Sequence, residues 1–94
     1  MANPKLHHMG EHSPGQEWYA WHCPGCECAH YVTVPRWTWN GSMERPTFHP
    51  SVLVNQHDPA SRCHSWVKDG RMQFLAGCYH QLAGQTVEIP DWDN

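Results

Sequence analysis

His22-Cys23-Pro24-Gly25-Cys26-Glu27-Cys28-Ala29-His30 sets three thiols and two imidazoles side by side, in a chain with five cysteines in all. Two cysteines at C-x2-C spacing reach one metal ion because the Pro24-Gly25 turn folds the second sulfur back toward the first. A tetrahedral zinc then needs two further ligands from elsewhere in the chain. Cys63-His64 and Cys78-Tyr79-His80 are the later clusters that offer them. The flanks of the motif decide the fold. Glu17 to His22 before it and Ala29 to Val34 after it are rich in aromatic and β-branched residues, which suit extended chain. Strand, C-x2-C turn, strand is the layout of a zinc-ribbon knuckle. A thioredoxin-like redox pair would instead open a helix, where the dipole activates the first thiol. The run from Glu27 to Val34, stopped by Pro35, is strand chemistry.

A chain of 94 residues makes one domain. A core this small benefits from a staple, and an odd number of cysteines rules out complete internal disulfide pairing. The thiols therefore read as reduced, metal-binding and cytoplasmic. Formal net charge is −3, a weak footprint for gripping phosphates. Trp18, Trp21, Trp37 and Trp39 could stack single-stranded bases, but filling a thin β core explains large side chains as well. Nucleic acid is thus the less favoured partner. No apolar run reaches the length of a membrane span, and Met1 to Leu6 lacks the apolar centre of a signal peptide.

Residues 1–16 carry Pro, Gly and His without apolar periodicity and read as a flexible leader. Residues 17–94 read as a single zinc-stapled β domain. Asn40-Gly41 and Lys68-Asp69-Gly70 signal hairpin turns. Ser51 to Val54, Cys63 to Val67, Arg71 to Leu75 and Thr86 to Ile89 read as further strands. The expected class is all-β, with one short helix near 78–83 ended by Gly84.

Cys23 and Cys26 are the first two expected ligands. If Cys63 to Val67 is a strand, Cys63 and His64 point to opposite faces, so one of the two reaches the ion. The expectation is His64 with Cys78, followed by Cys63, His80 and His30. Residues left over would orient a ligand or be buried as satisfied side chains. Zinc-protease and deaminase motifs are missing, so the zinc reads as structural, and no catalytic residue is assigned.

Several segments resemble a family of small phage and prophage proteins often labelled ammonia monooxygenase. They are Cys23-Pro-Gly-Cys26 with His30, Trp37-Thr-Trp-Asn-Gly-Ser42, Pro46-Thr-Phe-His-Pro-Ser-Val52, Arg62-Cys-His-Ser-Trp-Val-Lys-Asp-Gly-Arg71, Cys78-Tyr-His-Gln-Leu-Ala-Gly-Gln-Thr-Val87 and Pro90-Asp-Trp92. The resemblance implies a phage-derived zinc-binding protein and points to Cys23, Cys26, His30, Cys63, His64, Cys78 and His80, setting aside Cys28 and His49. The label itself does not transfer, since the enzyme of that name spans membranes. The resulting expectation leans away from an enzyme, toward an accessory module with a structural zinc and a host or phage protein as partner. The alternatives are a small zinc hydrolase activating water near His30, His64 or His80, and a ribbon for single-stranded nucleic acid.

Overall fold

The computed structural model describes residues 3–92; Met1, Ala2, Asp93 and Asn94 lie outside the described residues. Eight strands form two antiparallel sheets. β1 (His7–Ser13), β2 (Gln16–Cys23) and β3 (Cys28–Val34) make the first, in that order. β4 (Thr38–Trp39), β5 (Phe48–Val54), β6 (Cys63–Lys68), β7 (Arg71–Phe74) and β8 (Thr86–Glu88) make the second, again in chain order. Consecutive antiparallel pairing needs only short connections, and the chain supplies them. The all-β expectation holds.

The two sheets bury their facing sides against each other. Trp21 of β2 stacks on Phe48 of β5 at 5.7 Å, and Val32, Val67, Met72, Phe74 and Ile89 complete a closed core. Period-two alternation explains the choice of side chains. In β6, Cys63, Ser65 and Val67 are buried while His64 and Trp66 are half-exposed. The β6–β7 turn is the Asp-Gly hairpin that the sequence signals. Asp69 and Gly70 both have positive φ (50° and 78°), as a two-residue turn matched to strand twist requires. Asn40-Gly41 behaves differently. It opens a longer loop in which Asn40 Oδ1 accepts the N–H groups of Ser42 and Thr47, so Trp39 pairs with Phe48 only after that loop closes.

Two expectations need correction. Residues 7–13 are not a flexible leader: they form β1 and pair with β2. Leu6 is buried in the core, Lys5 N–H donates to Met43 O, and Trp92 N–H donates to Pro4 O. Apolar periodicity misses this strand because its side chains are largely exposed. Its hold is the backbone ladder and ring stacking, as of His8 on Tyr19 at 4.8 Å. The segment 78–83 is not a helix either. It is a series of turns, with Cys78 N–H donating to Leu75 O and Gly84 N–H reaching back to Phe74 O. A helix this short has little to offset its nucleation cost, and Cys78 and His80 are drawn to different partners. No helix among the described residues is long and apolar enough to cross a membrane.

If the N-terminal segment belongs to the core, Leu6→Ala should lower unfolding free energy by about 2–5 kcal/mol, the range for an emptied buried leucine site. Denaturant melts of the two proteins measure this. A leader outside the fold would give no change.

Candidate functional site

The knuckle is built by the β2–β3 hairpin, whose last pair is Cys23 opposite Cys28. Glu27 takes a left-handed φ of 58°, and its N–H closes on Cys23 O at 2.9 Å. The same turn aims Cys26 N–H at Cys23 Sγ, 3.4 Å away, a contact that favours a thiolate. Cys63, at the start of β6, and His80, in the turns after β7, come in from the second sheet's side. The ligand atoms of Cys23, Cys26, Cys63 and His80 all lie within 4.8 Å of one another. Gly25 admits the imidazole, since a Cβ there would overlap the His80 ring. Phe74 braces that ring edge-on at 4.6 Å.

The charges show why this set suits a cation. A hydrogen bond from the Cys63 thiol, foremost, lowers the Cys23 pKa to about 3, with His30 and the Cys26 N–H adding to it against burial. Burial and then the Cys23 charge push Cys26 up to about 11. Cys63 is driven well above the ordinary thiol range by its hydrogen bond to Cys23 and by burial. One sulfur carries charge and the other two keep their protons, because like charges in one small space disfavour each other. A divalent cation would remove that conflict, with all three held as thiolates. Three thiols and one imidazole fill a tetrahedral shell, as in closed structural sites. The donors fit a metal ion.

The other expected ligands fall outside this group of four, although Cys78 and His30 border it. His64 points to the opposite face of β6 from Cys63. Cys78 grips the His64 backbone: its sulfur accepts the His64 N–H at 3.2 Å and donates to His64 O at 3.1 Å. It also sits 4.0 Å from Cys63 Sγ. His30 is buried beside Cys23, edge-on to Trp21, and its Nε2 has no hydrogen-bond partner. Cys28 is exposed, and His49 packs edge-on to Trp66 at 5.7 Å.

Sequence reasoning missed a second constellation. Ser51 Oγ lies 2.8 Å from His64 Nε2. The β5–β6 register breaks between Phe48 and Val52, where Pro50 cannot donate to the ladder. Such an irregularity re-aims the side chains around it. Ser51 lies two residues before Leu53, which pairs with His64, so alternation sets Ser51 on the same face, away from the core. The available signal was a proline inside a strand pattern, flanked by His49 and Ser51. Among the described residues no Asp or Glu side chain hydrogen-bonds His64. Its backbone is held instead by Cys78 and by Leu75 N–H, which donates to His64 O.

A family model described as bacterial ubiquitination-like system serine protease (BubE) matches residues 1–75. The match takes in Cys23, Cys26, Ser51, Cys63 and His64 and ends before Cys78 and His80. It names a bacterial system and does not carry the phage origin or the ammonia monooxygenase label suggested by resemblance. No curated protein matches the chain, and no solved structure matches it.

Two substitutions separate ligand from clasp. Gly25→Ala should displace His80 and let a competing chelator strip the metal. Cys78→Ala should retain the metal, at a stability cost of about 1–2 kcal/mol for the lost backbone partners. Elemental analysis after dialysis against chelator, with thermal melts, reads both outcomes.

Proposed function

The chain belongs to the family of bacterial ubiquitination-like system serine proteases (BubE), and we propose that it is a small serine hydrolase stapled by a structural zinc. In this reading Ser51 is the nucleophile and His64 its base. The carrying observation is the 2.8 Å contact between Ser51 Oγ and His64 Nε2, within the reach that proton transfer requires. Zinc on Cys23, Cys26, Cys63 and His80 supplies a cross-link between the knuckle, β6 and the turns after β7. With four protein donors its shell is closed, so its part is structural.

The chemistry follows from the pair. In the tautomer protonated on Nδ1, His64 Nε2 accepts the Ser51 hydroxyl proton as Oγ bonds to the acyl carbon. His64 then passes that proton to the leaving amine as the carbon–nitrogen bond breaks. Water repeats the sequence on the acyl-enzyme, giving its proton to His64 and releasing the acid and the Ser51 hydroxyl. Serine and base in hydrogen-bond contact are recognised by geometry and role, whatever their order in the chain. Here the base is oriented through its backbone by Cys78. The family's description supports, as substrate, an amide bond in a protein of a ubiquitination-like system.

This reading goes beyond the accessory module expected from sequence, and what supports it is the Ser51–His64 contact together with the family match. A fluorophosphonate probe tests it. Wild type should be labelled at Ser51 and Ser51→Ala should not. His64→Ala should slow labelling by about a hundredfold or more, as loss of a general base does. Unlabelled wild-type protein, folded and metal-bound, would return the chain to the binding-module reading.

A further inference from the structure

β3 is the outer strand of its sheet, so one side of its backbone is unpaired. β5 is nearly as open: β4 covers only Phe48 and His49, leaving Pro50 to Val54 unpaired on that side. A cleft of about 400 Å³ runs between these edges, lined by Ala29 to Tyr31 on one side, Val52 to Asn55 on the other, and Trp37. A second cleft shares Tyr31 and Trp37 and adds Gln16, Trp18 and Arg36. Leu53 belongs to the first cleft and pairs directly with His64. The cleft therefore adjoins the Ser51–His64 pair.

Buried polar atoms in folded proteins nearly always find partners, and the exceptions call for a reason. Six buried side-chain N or O atoms have no partner among the described residues: Gln16 Oε1, Trp18 Nε1, Trp21 Nε1, His30 Nε2, Trp37 Nε1 and Ser65 Oγ. Four of these six, on Gln16, Trp18, His30 and Trp37, belong to side chains lining the two clefts. His30 is only 4% exposed. The four atoms are themselves closed off from solvent, so the clefts are backed by two indoles, an imidazole and an amide whose polar groups lack partners. The aromatic faces of Trp18 and Tyr31, stacked at 4.8 Å, suit the side chains of a polypeptide.

From these observations we infer that the cleft binds an extended polypeptide segment, which adds as a strand to the free edge of β5 and brings its scissile bond to Ser51. The inference rests on the hydrolase reading for the last clause only. Strand addition explains why β4 stops where it does: a longer β4 would fill the edge that the substrate needs. Main-chain pairing gives affinity, and alternate side chains read pockets. For this protein those pockets are the apolar ground of Val52, Val54 and Trp37 and the aromatic pair beyond it. An exposed edge beside unpaired aromatic donors is a liability unless something occupies it.

The test separates the two readings. Isotope-labelled Ser51→Ala protein is titrated with a strand-forming peptide of about ten residues, alternating Val and Thr with lysine ends. The amides of residues 29–31 and 52–55 should shift and gain exchange protection. Leu53→Glu and Tyr31→Ala, both at exposed positions, should each weaken binding about tenfold, the first by setting a charge where apolar side chains dock. N-methylation along the peptide should abolish binding at every second residue, since alternate N–H groups face the edge. Shifts confined to the outer edges of β1 and β8, indifference to both substitutions, or no shift at about 1 mM peptide would overturn the cleft. If the peptide binds here while fluorophosphonate leaves wild-type Ser51 unlabelled, the cleft stands and the hydrolase reading falls.

Discussion

Three sulfurs and one imidazole converge on a point where only one sulfur can hold a negative charge unaided. That electrostatic conflict, which a bound cation would relieve, is the constraint on which the rest of the structure depends. Cys23 and Cys26 belong to the first sheet, Cys63 to the second, and His80 to the turns that follow β7. A metal at their centre joins both sheets and the least regular segment of the chain. Structural zinc sites of this kind contribute on the order of 10 kcal/mol to folding, as large as the whole stability of a typical small domain. The sandwich core of Trp21, Phe48, Val67 and Phe74 then sets the packing of the sheets, while the proposed ion sets their relative placement at the knuckle end.

The same arrangement ties stability to the proposed chemistry. Strand alternation sends Cys63 inward and His64 outward, so the residue that anchors β6 and the residue proposed as base are neighbours on one backbone. Cys78 completes the link by holding both polar groups of the His64 backbone. A serine protease with an acidic third residue fixes its histidine through a carboxylate. In the proposed mechanism a strand, a thiol clasp and a neighbour that would ligate the metal fulfil that orienting role. Sub-ångström control of the serine–imidazole contact would otherwise be hard to secure in so small a fold.

Much of this was legible in the sequence, and the failures have physical causes. The knuckle could be read because C-x2-C, a Pro-Gly turn and β-rich flanks are all local. The Asp69-Gly70 turn could be read for the same reason. Alternation showed that Cys63 and His64 face opposite ways but not which face holds the ion, a choice set by how β6 meets the first sheet. His80 depends on the missing Cβ of Gly25, a close approach between segments far apart in the chain. β1 escaped notice because its hold is a backbone ladder, not an apolar stripe. Ser51 escaped because its place diagonal to His64 follows from the β5–β6 register, which chain order does not reveal. The unpaired edge of β5 is a property of topology alone.

The proposed metal centre is a closed set of three sulfurs and one nitrogen around a single zinc. X-ray absorption at the zinc edge of the purified protein tests it most directly. Three sulfur scatterers at about 2.3 Å and one imidazole nitrogen at about 2.0–2.1 Å are expected. A first shell with two sulfurs, or one containing water or carboxylate oxygen, would contradict it, because the ion would then be held by other residues or would keep an open position.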